Sequence, residues 1–136
     1  MRLADSFFDD VVDAALNTIL MVEHDVDDDG QIHCESPHLD DKYTIEDFDL
    51  EARATVHVDL LTLGLAFGDS VSGLDVDGEQ FGHDFAMEAL GTGVGFRDRS
   101  YVSPEQAERL SEWVRDNVDY EGRVEVGDDG KIYLDA

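Results

Sequence analysis

The sequence predicts an α+β domain in which three helices pack on a small antiparallel sheet of two β-hairpins. Three observations predict it. Apolar residues recur at helical spacing near both ends of the chain, in 6–22 and 104–118. Short apolar runs flank Asp128-Asp129-Gly130, and others flank Gly91-Thr92-Gly93, as they do around hairpin turns. The length, 136 residues, suits one domain with a real core, and 42% hydrophobic content can fill that core.

The first helix is expected over 6–22, with Ser6 as its cap. Phe8, Val11, Val12, Ala15, Leu16, Ile19 and Leu20 form its apolar face. Asp9, Asp10 and Asp13 lie opposite, toward the positive end of the helix dipole. Residues 24–42 are polar, contain Gly30 and Pro37, and read as a connection. Thr44, followed three residues later by Asp47, predicts a capped turn. Residues 50–68 are ambiguous in period. Val56, Val58 and Leu60 alternate like a strand, while Val56, Leu60, Leu63 and Phe67 line one helical face; the length favours a helix. Residues 72–80 read as a loop, and HDFAMEAL with VGFRDR as the first hairpin. The last helix carries the strongest start signal: Ser103 as cap, Pro104 at the first position and Gln106 completing a capping box. Ala107, Leu110, Val114 and Val118 make its core stripe, Trp113 lies beside it, and Gly122 stops it. RVEV and KIYL form the second hairpin.

Charge is the unusual property. Nine basic residues stand against 34 acidic ones, a net charge of −25. Such a chain repels nucleic acid and anionic membranes and attracts cations or basic proteins. Asp outnumbers Glu 23 to 11 and Arg outnumbers Lys seven to two, a bias shared by proteins of high-salt cytoplasm. The single cysteine, Cys34, excludes an internal disulfide and suits a reducing compartment. The N-terminus meets acidic residues before any apolar signal core, and no apolar run is long enough for a bilayer. The chain is therefore expected to be cytoplasmic.

The stretch GHDFAMEALGTGVGFRDR (82–99) resembles a signature of small uncharacterised tailed-phage proteins, GHDFWLTRNGHGAGFWDR. Gly82, His83, Asp84, Phe85, Gly91, Gly93, Gly95, Phe96, Asp98 and Arg99 match it. LDDKYTIEDF (39–48) is similar to the family's LDDNYSIEDI, and GDDGKIYL (127–134) to its C-terminal end, so the resemblance covers most of the chain. It implies an accessory phage protein and brings no activity with it. Ala86 and Arg97 stand where the family has tryptophans, Ala89 where it has arginine, Leu90 asparagine and Thr92 histidine. Glycines that shape a turn are kept and polar groups that could act are lost, which suits a scaffold.

No catalytic residue is expected. His83 and Asp84 are neighbours, and on a strand their side chains would point to opposite faces. The glycines of GTGVG would lie between strands rather than ahead of a helix, and a phosphate cradle needs positive potential. His24, His33, Cys34 and His38 lie close together, but their spacing fits no closed zinc site and reads as a solvated loop. Asp25, Asp27 and Asp29 match the first three ligand positions of a calcium loop, with Gly30 and Ile32 in register. The position of the bidentate glutamate is Ser36, Pro37 follows, and DDGQIH repeats the plain turn DDGKIY. Weak cation binding is the reading, with no cofactor.

Asp5, Asp9 and Asp13 recur every fourth residue, as do Glu108, Glu112 and Asp116. Carboxylates so spaced on a helix stand roughly 6 Å apart, close to neighbouring phosphates on a nucleic-acid strand. These two stripes are the expected contact for a basic protein partner, such as a host nucleic-acid-binding factor engaged by DNA mimicry. The other readings are salt adaptation in a protein of a halophilic virus and a cation-binding module.

Overall fold

The computed structural model describes residues 5–25, 36–68 and 74–135, with the side chains of Asp5 and Ser6 outside the description. Helix α1 spans Asp5–Val22, α2 Leu50–Phe67, α3 Gly78–Ala89 and α4 Pro104–Asn117. Short 3-10 turns occupy Leu39–Asp41, Ile45–Asp47 and Phe96–Asp98, and strands β1 (Val124–Val126) and β2 (Ile132–Leu134) close the chain. The class is α+β.

Helix α1 buries Val11, Ala15, Leu16, Ile19 and Leu20, the apolar face that its sequence shows. It lies along α3, and the contact is close because α3 presents glycines. A Cβ at Gly82 would stand 2.2 Å from the Val11 carbonyl oxygen, and one at Gly78 would stand 2.8 Å from that of Phe7. Asp49 caps α2, its carboxylate accepting from Glu51 N at 3.0 Å. Ala52, Val56, Leu60 and Leu63 are the buried face of α2. The alternation that suggested a strand arises because a second set, Leu50, Val58, Leu61 and Leu65, faces outward.

The hairpin pairs Val124 with Leu134, Glu125 with Tyr133 and Val126 with Ile132. It is held to the helices by its outer edge: Phe48 bridges Ile132 in parallel, and Asp49 N donates to Ile132 O at 2.8 Å. Phe81 and Phe96 meet at 5.3 Å between ring centroids, Phe85 meets Tyr120 edge-on at 6.2 Å, and all four are fully buried. The core thus sits between α3 and the two helices packed on it, α1 and α4, with α2 closing it from α1 and β2.

Several expectations are corrected. HDFAMEAL (83–90) is not a strand of a first hairpin but most of α3 with its C-cap, and VGFRDR (94–99) holds the 3-10 turn Phe96–Asp98, so the described residues hold four helices and one hairpin instead of three and two. The run Gly78–Ala89 contains no β-branched residue, Phe81, Phe85 and Ala89 repeat every four, and Asp77 caps the start by accepting from Gln80 N at 2.8 Å. The loop expected over 72–80 therefore ends at Asp77. Helix α1 begins at Asp5, which places Ser6 inside it rather than at its cap. Helix α4 begins as expected, with both bonds of the Ser103–Gln106 capping box formed, but ends at Asn117 rather than near Gly122. Val118 turns extended there and buries its side chain. The Thr44–Asp47 turn forms, with Thr44 N donating to Asp47 Oδ2 at 2.8 Å.

Candidate functional site

Within residues 82–99, Asp84 and Arg99 meet at one buried carboxylate. Asp84 faces inward from α3 with no solvent exposure. Arg99 Nε donates to its Oδ1 at 2.8 Å, Gln80 Nε2 donates to the same oxygen at 3.1 Å, and the Tyr101 hydroxyl donates to Oδ2 at 2.7 Å. Burial first, then the Asp84 hydrogen bond and charge, hold the Tyr101 phenol well above its ordinary range. Between the helix and Arg99 the chain must reverse within a few residues. Gly91, Gly93 and Gly95 take φ of 71°, 85° and 149° to do so, and Asp98 closes the last turn by accepting from Gly95 N at 3.2 Å. Phe85 and Phe96 seal the core beneath. The signature is a helix, a glycine reversal and an ion pair that locks the two together.

Beside this lock lies a groove of about 760 Å³ between α1 and α3. Asn17, Thr18, Gln80, His83 and Arg99 contribute its polar lining, and Asp10, Asp13, Asp77 and Glu79 contribute carboxylates. The Thr18 hydroxyl donates to Ala14 O at 2.8 Å, which uses its one proton. His83 Nδ1, 3.1 Å from the same hydroxyl, is therefore the donor in that contact. A neutral His83 so oriented keeps Nε2 as an acceptor. His83 and Asp84 do not form a pair: one is bound to α1 and the other to the loop after α3. The expectation that they part was sound, but its reason, a strand, was not. Arg99 is the one guanidinium of the groove among the described residues, and its charge is matched by Asp84. The groove therefore suits a positively charged group and not an anion.

The acidic stripes differ from each other. Asp9 and Asp13 are exposed on α1, and neither carries an ion pair among the described residues; the Asp5 side chain lies outside them. On α4, Glu108, Glu112 and Asp116 are exposed, but Glu108 is held by Arg97 through contacts at 2.9 Å and lies 4.0 Å from Arg115. Arg97, a departure from the signature, thus neutralises part of the α4 stripe. The two stripes stand on different helices, each packed on α3.

Of the expected cation ligands, Asp27 and Asp29 lie outside the described residues, as do Gly30, Ile32, His33 and Cys34. Asp25 is described; its N–H donates to Pro37 O at 2.8 Å. His24 and His38 face each other across an antiparallel bridge with ring centroids 4.2 Å apart, and His24 Nδ1 donates to Ser36 O at 2.8 Å. Among the described residues no group of three or more His, Cys, Asp or Glu side chains is placed to hold a metal ion. Among them also, no helix is long and apolar enough to cross a membrane.

Sequence reasoning missed Gln80 and Tyr101 as partners of Asp84. Gln80 stands four residues before it, a spacing that brings side chains together only on a helix. Asp10, Asp77 and Glu79 were missed as a group because α1 and α3 are joined only by the tertiary fold. Compared with protein-family models, curated proteins and solved structures, the chain matches none.

Proposed function

We propose that this chain is a non-enzymatic binding protein that captures a basic protein partner through its acidic surface. The observation that carries the reading is the groove between α1 and α3, which Asp10, Asp13, Asp77 and Glu79 line together with one arginine among the described residues, Arg99, already paired with Asp84. A lysine or arginine entering there meets carboxylates that carry no ion pair among the described residues, and the net charge of −25 speeds its approach from solution. Asp9 and Asp13 extend the acidic face along α1, which makes this side a better contact than the partly neutralised α4. The tailed-phage resemblance of 82–99 supports an accessory role against a host factor that handles nucleic acid, with the α1 carboxylates in place of phosphates. The Asp-rich composition favours a second reading, in which acidity serves solubility in a halophilic virus.

Affinity capture from lysate at low salt, followed by elution with duplex DNA or with salt near 1 M, where the Debye length falls to about 3 Å, tests the proposal. Basic nucleic-acid-binding proteins should be captured, displaced by either eluent, and lost with a combined Asp10→Asn, Asp13→Asn, Asp77→Asn and Glu79→Gln variant. Capture indifferent to salt, or to those four changes, would overturn it. Loss of the fold on removing molar salt, seen by circular dichroism, would favour the solubility reading.

A further inference from the structure

Helix α2 has two apolar faces, and the core uses only one. Ala52, Val56, Leu60 and Leu63 are buried. Directly opposite, Leu50 is 79% exposed, Val58 55%, Leu61 39% and Leu65 72%. With exposed Ala54 these residues follow one another at intervals of four, four, three and four, so they form one straight stripe rather than scattered surface residues. At 1.5 Å per residue the stripe runs roughly 22 Å. In a chain where charged residues make up 32% of the sequence, the exposed positions of α2 from Ala54 onward (Ala54, His57, Val58, Leu61, Thr62, Leu65 and Ala66) include no Asp, Glu, Lys or Arg; Glu51 in the first turn is the one exposed charge of the helix.

The borders of the stripe say what would cover it. On the α1 side a groove is lined by Asp9, Asp13, Arg53 and His57. On the α4 side lie Asp59, Asp116 and Asp119 with Arg115 and Arg123, and Arg123 is drawn to Asp119 at 3.5 Å. Asp119 is paired with Arg123 and Asp59 with the Tyr120 hydroxyl, but Asp9, Asp13 and Asp116 carry no ion pair among the described residues, so the apolar seam complements an amphipathic helix whose apolar stripe is edged by lysine or arginine. A second copy of the chain is a poor fit, since it would bring its own Asp9, Asp13 and net charge of −25 to the same seam.

We infer that the exposed face of α2 is the docking surface for an amphipathic basic helix of the partner, laid along Leu50, Ala54, Val58, Leu61 and Leu65. The inference rests on the basic-partner reading and gives that partner a secondary structure.

The test uses the whole chain and three synthetic peptides of 18 residues, the length of α2. One is a Leu/Lys amphipathic helix, one a scramble of identical composition, and one carries Glu in place of Lys. The amphipathic basic peptide should bind at least about tenfold more tightly than the scramble, a difference of roughly 1.4 kcal/mol, and the Glu peptide should not bind. Val58→Asp with Leu65→Asp should erase the preference; both sites are exposed, and unchanged thermal melting confirms an intact fold. Equal affinity for the two basic peptides, or a preference that survives the double variant, overturns the inference and leaves the basic-partner reading standing. Failure of both basic peptides to bind at low salt overturns that reading itself. A dimer in light scattering that the double variant dissociates would assign the face to a second copy and overturn the inference.

Discussion

Arg99 Nε lies 2.8 Å from Asp84 Oδ1, in an ion pair whose carboxylate is fully buried while the arginine side chain keeps 35% of its exposure. The pair joins the middle of α3 to the chain beyond the glycine reversal, and both partners lie within 82–99. Asp84→Ala strands the Tyr101 hydroxyl and a half-sheltered guanidinium, and should destabilise the fold by about 3–5 kcal/mol. Asp84→Asn keeps one acceptor and should cost less, about 1–3 kcal/mol. Denaturant titration measures both, and equal stability of Asp84→Ala and the parent would remove the lock from the fold's energetics.

Gly82 sets the separation of α1 and α3. Gly82→Ala would drive a methyl to 2.2 Å from the Val11 carbonyl oxygen and 2.9 Å from the Ala14 side chain. The helices must part, at a cost of about 1–3 kcal/mol or more, and the groove between them should widen. Gly93→Ala is the contrast: nothing lies within 4 Å, but φ is +85°, so only backbone strain of roughly 1–2 kcal/mol opposes it. Melting temperatures should rank the parent above Gly93→Ala and Gly93→Ala above Gly82→Ala.

Asp59 accepts from the Tyr120 hydroxyl at 2.7 Å on the inner side of α2. Burial raises its pKa, and the Tyr120 hydrogen bond offsets part of that rise. A carboxyl that holds its proton more readily folded than unfolded makes stability increase as pH falls through its folded pKa toward the ordinary 3.8. Asp59→Asn keeps an acceptor without the charge, so it should melt higher than the parent at about pH 7, and the advantage should shrink toward about pH 4. Tyr120→Phe removes the donor and should cost about 1 kcal/mol at neutral pH. Thermal melts across that range decide both, and an advantage of Asp59→Asn that grows on acidification would contradict the assignment.

The tyrosines limit the alkaline range. Burial, then the charge and hydrogen bond of Asp59, raise the Tyr120 phenol far above 10; Tyr101 is raised likewise beside Asp84. The Asp129 hydrogen bond pushes Tyr133 up to about 12. Raised pKa values mean that these groups contribute fully below pH 10 and that stability falls as pH climbs beyond it, where the unfolded chain releases the protons first. Phenolate absorbance should lag behind pH 10 and then rise together with unfolding. Independent ionisation of all four tyrosines near 10 in the folded chain would refute this.

Local signals carried the ends of the fold. The Ser103–Gln106 capping box, the Asp-Asp-Gly turn of the hairpin and the apolar period of α1 each act within a few residues, and each is found where the sequence places it. The signature at 82–99 was visible but misread, because glycine marks both turns and close helix contacts. Gly82 serves the second purpose, and only the neighbouring α1 reveals it.

By itself the sequence determined an α+β class, a charge of −25 and four-residue runs of carboxylate, since composition and helical period need no partner. Tertiary structure alone decided that Asp84 is buried against Arg99, that Asp10, Asp13, Asp77 and Glu79 share one groove, and which face of α2 is left outside. Those are contacts between residues far apart in the chain. Two apolar faces on one helix look alike until the rest of the protein covers one of them.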